Sequence, residues 1–255
     1  MEIVEVKVCA NFDRKWFKDY AGVTHTGQTL IILPHAGGSA PFYLPLVQSL
    51  APRVATRVVQ YPGRQERRTE PGPVGVREIA AELAELLVAA DPGPISLFGH
   101  SMGALIAFEI ARVLQSDARP VTRLFVSGRG SPLTGPRAEE QAIVDDARIL
   151  ADVRRLDPAG STILDDPEIR DVALPALRAD YAAVRRYRYG SGPKLGCPVH
   201  ILTGDRDPKV SVSEARAWSD LTVADTTLTT FDGDHFYFVR KFDELARAIE
   251  NASFG

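Results

Sequence analysis

The sequence predicts an α/β fold, a mostly parallel central sheet flanked by helices, and three observations predict it. Short apolar runs alternate with segments of helical period, as a sheet covered on both faces requires. One such run passes into one such helix through Gly99-His100-Ser101-Met102-Gly103. At 255 residues and 45% hydrophobic content, residues 1–255 suffice for one domain with a sizeable core.

Taken in order, Thr29–Leu33 reads as a strand, Ser39–Leu50 as a helix and Val54–Val59 as a second strand. Val76, Ile79, Ala80, Leu83, Leu86, Leu87 and Ala90 recur at helical spacing and predict a helix over Val74–Ala90. The run Pro94–Phe98 is a strand, Ala104–Ala111 continues as a helix, and Val121–Ser127, Pro198–Gly204 and Thr226–Phe231 supply later strands. Between Ser131 and Arg188 the alternation stops, and helix-like sequence carries Pro132, Pro136, Pro158, Pro167 and Pro175 as expected breaks. Residues 131–188 are therefore expected to form a helical lid inserted between late strands, above the C-terminal edge of the sheet. Its apolar residues, Ile143, Val144, Ile149, Leu150, Leu156, Ile163, Leu164, Leu174, Leu177 and Tyr181, either line a channel or pack the lid helices together.

A Gly-x-Ser-x-Gly string is weak evidence alone and strong evidence between an apolar strand and an amphipathic helix. There it forms a nucleophile elbow, with Ser101 projecting from a turn too tight for flanking side chains. A hydroxyl needs a base, and in this arrangement the partners follow in the order serine, acid, histidine. Of five histidines, His100 lies inside the elbow, His200 within a strand, His35 at a strand end and His25 in a Thr/Gly-rich turn. His235, in the loop after Thr226–Phe231, is left as the candidate base. After Pro198–Gly204 come Asp205 and Asp207; either could orient the imidazole, with Pro208 fixing the chain beside Asp207. Asp232 and Asp234 stand too near His235 in sequence to approach its ring well. The backbone N–H of Met102 is one oxyanion donor, and the His35-Ala36-Gly37-Gly38-Ser39 loop offers a second at Ala36. The plainer reading of that loop is a strand-to-helix turn capped by Ser39.

Several stretches carry a resemblance: Pro34–Ala40, Val59–Arg64, Gly99–Ala104, Leu174–Tyr181, Gly204–Pro208 and His235-Phe236. Together they resemble the type II thioesterases, the free-standing α/β-hydrolases that accompany polyketide synthases and nonribosomal peptide synthetases. The similarity runs from about Trp16 nearly to the C-terminus. It implies Ser101, Asp207 and His235 as a triad, favouring Asp207 over Asp205, and Ala36 with Met102 as the oxyanion hole. It also implies hydrolysis of acyl thioesters on the phosphopantetheine arm of an acyl or peptidyl carrier protein, an editing role in antibiotic biosynthesis. Asp234 departs from the family, which commonly has glycine there. Met1–Asn11 matches nothing in the family and is assigned no role.

Composition narrows the alternatives. A net charge of −3 gives no broad basic field for nucleic acid. Two cysteines, Cys9 and Cys197, make neither a disulfide framework nor a metal site, and the chemistry needs no cofactor. No secretory signal or bilayer-length run is visible, so a cytoplasmic, monomeric enzyme is expected. Arg64, Arg67 and Arg68, and Arg185, Arg186 and Arg188, form clusters that read either as a docking rim for an acidic carrier or as solvated faces. Three rival functions share these residues or this fold: a carboxylesterase or lipase, an acyltransferase or cyclase, and a catalytically silent binding module.

Overall fold

The computed structural model describes residues 11–20, 28–51 and 53–254. Seven strands among them form one sheet: β1 Phe17–Lys18, β2 Thr29–Leu33, β3 Ala55–Val59, β4 Ile95–His100, β5 Arg123–Ser127, β6 Val199–Gly204 and β7 Thr226–Phe231. Their order is β1-β3-β2-β4-β5-β6-β7. Only β1 is antiparallel to its neighbour; the other pairings are parallel. The helices are α1 Leu44–Leu50, α2 Val76–Ala90, α3 Met102–Ser116, α4 Ala138–Ala142, α5 Asp146–Leu156, α6 Pro167–Arg186, α7 Val212–Arg216 and α8 Phe242–Phe254. This is the α/β-hydrolase arrangement. No helix among the described residues is long and apolar enough to cross a membrane.

Successive strand residues point to opposite faces, so each strand feeds two cores. Ile31, Leu33, Leu97, Leu124 and Val126 pack with the buried sides of α2 and α3. Leu30, Ile32, Val58, Phe98 and Phe125 pack with α1 and α8. β4 lies at the centre and is buried along its whole length, which fixes the height at which its C-terminal residues emerge. Leu33 is in register with Gly99 and His100 with Ser127, so the ends of β2, β4 and β5 meet at one edge.

Most elements lie within two residues of their sequence assignment, and the exceptions have local causes. The expected Ser39–Leu50 helix is split into a 3-10 turn, Ala40–Tyr43, and α1, because Pro41 and Pro45 each start a new helical segment. Pro175 is not a break. α6 runs through it, with Leu174, Ala176, Leu177, Asp180 and Ala183 buried, and that packing outweighs the backbone bond a mid-helix proline forfeits. Pro167 does what a proline does well: it opens α6 behind Asp166, whose side chain accepts from the N–H groups of Glu168 and Ile169. The antiparallel β1 is two residues long and left no periodic signal. Met1–Ala10, including Cys9, and His25 lie outside the described residues.

Candidate active site

β4 ends in a turn that holds Ser101 at φ 54°, ψ −112°, a region that residues with a Cβ avoid. Close backbone packing enforces it. A Cβ on Gly99 would stand 2.1 Å from the carbonyl oxygen of Gly103, and one on Gly103 would stand 2.0 Å from that of Leu33. The Ser101 N–H donates to Ser127 O at 2.8 Å, tying the elbow to β5. Met102 is the first residue of α3, so its N–H belongs to the unpaired first turn, where the helix dipole favours negative charge.

The loops after β6 and β7 bring an aspartate to a histidine. His235 Nδ1 lies 2.8 Å from Asp207 Oδ2, with their side chains 1% and 0% exposed. A carboxylate in its ionised form only accepts, so in such a contact Nδ1 is the donor. The other Asp207 oxygen accepts the Lys209 N–H at 2.7 Å. Asp205 accepts the Gly233 N–H at 2.9 Å and pairs with Arg206, bracing the two loops. Asp232 pairs with Arg206 and Lys241, and Asp234 accepts the Phe236 N–H at 3.0 Å. The His235 ring stands 4.8 Å from that of His100, the residue before Ser101.

The remaining described histidines are held by packing and hydrogen bonds. His100 Nδ1 meets Ser127 Oγ at 2.9 Å, which in turn meets Tyr237 Oη at 2.8 Å. Burial, then the nearby His235 and His35, pushes His100 well below the usual histidine range. His35 packs edge-on to Phe42 and Phe236 with Nδ1 2.9 Å from Tyr43 Oη. Its basicity falls to about 3, first through burial and then through His235 and Arg64. His200 stacks on Phe125 and bonds Thr227 at 2.7 Å, as expected of a half-buried strand residue.

The loop after β2 turns at Gly37, whose φ of 77° and closeness to Leu177 both call for glycine: a Cβ there would lie 2.5 Å from Leu177 Cδ2. Gly38 N–H closes the turn on His35 O at 2.9 Å. Ser39 provides no side-chain cap. The Gly37 N–H is instead taken by Asp180 Oδ2 of α6 at 2.7 Å, and the same oxygen pairs with Arg64.

Those two residues are where sequence reasoning fell short. Arg64 and Arg67 are not part of an exposed rim; they are 6% and 4% exposed. Arg64 pairs with Asp180, while Arg67 pairs with Glu70 and lies 4.1 Å from the Trp16 ring centre. Arginine's planar, weakly hydrated head suits such paired or stacked burial. Arg68, Arg186 and Arg188 are exposed. A second buried carboxylate, Asp152 of α5, also had no sequence assignment; it accepts from Lys209 Nζ and Tyr181 Oη at 2.7 and 2.9 Å. The only advance signal for Asp180 and Arg64 was their place within family-like motifs. Among the apolar residues of 131–188, Ile149, Leu156, Leu164, Leu174 and Leu177 are buried, whereas Val144 and Ile163 are each 57% exposed. Beside His100, Gly128 lines a pocket with Leu105, Pro132, Tyr187 and Val210, walled on its polar side by Glu140 and Lys209.

A serine on a strained strand-to-helix turn, preceded by a histidine whose ring stands 4.8 Å from that of the histidine in a buried histidine–aspartate pair, has the form of an α/β-hydrolase active site. A thioesterase-domain family model matches residues 28–252, and the chain belongs to that family; it is a thioesterase. It is 40% identical over 244 residues to thioesterase PikA5 of Streptomyces venezuelae, covering 92% of this chain and 84% of that one. Among solved structures, the type II thioesterase BorB of the borrelidin biosynthetic cluster superposes with a TM-score of 0.87 at 44% identity, covering 94% of this chain and 98% of the other. The RedJ thioesterase of the prodiginine pathway in Streptomyces coelicolor gives a TM-score of 0.81 at 31% identity, covering 89% and 85%.

Proposed function

We propose that the protein hydrolyses acyl thioesters carried on the phosphopantetheine arm of an acyl or peptidyl carrier protein, as an editing enzyme of polyketide or nonribosomal peptide assembly, through Ser101, His235 and Asp207. The observation that carries this reading is the buried 2.8 Å pair of His235 and Asp207, with the His235 ring 4.8 Å from that of His100, the residue before an elbow serine at positive φ.

Ser101 Oγ attacks the thioester carbonyl carbon while His235 Nε2 takes the hydroxyl proton, and Asp207 stabilises the imidazolium. The N–H groups of Met102 and Ala36 receive the oxyanion. As the tetrahedral intermediate collapses, the C–S bond breaks and His235 returns its proton to the leaving thiolate. Water then attacks the acyl-serine with its proton passing to His235; the C–O bond to Ser101 breaks, the serine is reprotonated and the carboxylic acid leaves. Residues 131–188 act as the lid that shapes the acyl entrance. The carrier as partner is supported by the names of relatives, among them a type II thioesterase from the yersiniabactin NRPS/PKS biosynthetic pathway and a gramicidin S biosynthesis protein.

A panel of acyl-loaded carrier proteins, matching small thioesters and matching oxygen esters tests the reading. Carrier-bound thioesters should be cleaved fastest, with free acid as the product by mass spectrometry. Ser101→Ala should lower kcat by at least about a thousandfold. Faster cleavage of oxygen esters would make the protein an esterase, transfer of the acyl group to an amine or alcohol would make it a transferase, and an unaffected Ser101→Ala would remove the serine mechanism.

A further inference from the structure

Asp180 and Tyr181 are neighbours in α6, yet their side chains reach opposite ends of the active site. Tyr181 Oη donates to Asp152, which also accepts from Lys209 Nζ, and Lys209 N–H donates to Asp207; this path ends on the acid loop. Asp180 goes the other way. Its side chain is fully buried, and its Oδ2 accepts both the Gly37 N–H and Arg64 Nη2. Arg64 is anchored in turn by Nη1, which donates to Pro62 O at 2.9 Å.

We infer that Asp180 is a positioning residue for the oxyanion hole, acting through the Gly37 N–H with Arg64 as its anchor, and that the inserted helix α6 thereby sets the loop that carries the Ala36 donor. The inference rests on the reading of Ala36 as that donor. The Ala36 N–H shares a peptide plane with His35 O, which Gly38 N–H holds at 2.9 Å. The next plane contains the Gly37 N–H, held by Asp180 at 2.7 Å. With both planes tied, the only soft torsions between them, φ and ψ of Ala36, are fixed. A carboxylate is the strongest acceptor available for this, and charge-assisted bonds to a backbone N–H are about twice as strong as neutral ones. Stability alone does not account for the pair, because a buried ion pair is commonly replaced by apolar residues at no loss. Positioning does account for it, since a misplaced donor loses transition-state contact while substrate binding is left intact.

The test uses double variants of the full chain, so that no buried charge is left alone. Arg64→Met/Asp180→Leu removes the charges and the acceptor. Arg64→Met/Asp180→Asn removes the charges but keeps a side-chain oxygen for Gly37. Each is measured for melting temperature, for kcat and KM on butyryl-N-acetylcysteamine, and for inhibition by the matching trifluoromethyl ketone, whose serine adduct mimics the tetrahedral intermediate. The leucine variant should melt cooperatively and lose about 10- to 100-fold in kcat with KM within about twofold, and ketone affinity should fall in parallel. The asparagine variant should recover about tenfold of that loss. If leucine prevents folding, Arg64→Met/Asp180→Ala is read by the same criteria. A folded acceptor-less variant with unchanged kcat, a kcat loss without a matching loss of ketone affinity, or an asparagine variant no better than leucine overturns the inference alone. Wild-type protein inactive on thioesters, or an active Ser101→Ala, overturns the underlying reading and this inference with it.

Discussion

The sheet with its elbow and the inserted segment between β5 and β6 hold their parts of the site by different means. In the sheet, Ser101, Asp207 and His235 follow the ends of β4, β6 and β7, so strand register and backbone packing set where they stand. The insertion reaches the neighbouring loops through side chains, Asp180 on the loop after β2 and Asp152 on the loop after β6, and ties its own helices with outer pairs such as Arg178–Asp146 and Arg154–Asp165. Backbone contacts tolerate almost no displacement, because close-packed main chain has nowhere to go. Side-chain contacts yield by rotamer and solvent, and substitutions there should act more gently and more on rate than on folding.

The largest expected break in the comparison is Gly103→Ala. The new methyl would stand 2.0 Å from Leu33 O and 2.8 Å from Pro34 O, backbone atoms of β2 and its exit loop. Neither can retreat without disturbing β2 against β4. We expect a loss of at least about 3 kcal/mol in urea denaturation, or no soluble folded protein at all. A cost below about 1 kcal/mol would mean that the elbow backbone is softer than its packing implies.

The same division explains what could be read from the sequence. Strands and elbow were legible because each announces itself within ten residues: an apolar run, a glycine pair, a helical period. Asp207 and His235 were legible because they follow strands in a fixed order, although Asp205 and Asp207 became separable by residue chemistry only through the 2.8 Å contact with His235. Arg64 and Asp180 were not legible, since their partnership spans 116 residues and nothing local distinguishes an arginine bound for burial from one bound for water. The reading of Arg64 and Arg67 as surface charge failed for that reason. Pro175 failed for a related one: propensity is local, whereas the buried face that carries α6 past the proline is tertiary.

A smaller effect should separate the halves by pH. His35 and His100 lie on the sheet side, and burial holds His35 down at about 3 against an ordinary value of 6.5. The folded protein therefore leaves this ring unprotonated where the unfolded chain binds a proton. Stability is fully present above 6.5 and is lost as pH falls from 6.5 towards 3, by up to about 1.4 kcal/mol per pH unit for each such ring. Urea midpoints measured from pH 7 to pH 5 should fall for the wild type. In His35→Gln, which keeps a polar group near Tyr43 but cannot take up a proton, the slope should shrink by nearly one proton. An unchanged slope would place the acid sensitivity elsewhere in the chain.

The smallest effect belongs to the outer surface of the insertion. Ile163 is 57% exposed and lies in the short 3-10 segment Gly160–Asp165 before α6, so truncating it removes little area from contact. Ile163→Ser should change stability by no more than about 0.5 kcal/mol and leave small-thioester turnover unchanged. The informative measurement is KM for an acyl-loaded carrier protein. A side chain that merely covers the neighbouring helices leaves that value unchanged, as the packing reading of this segment requires. A rise confined to the carrier-bound substrate would mean instead that the exposed isoleucine meets the partner, and would move part of the insertion from scaffold to recognition surface.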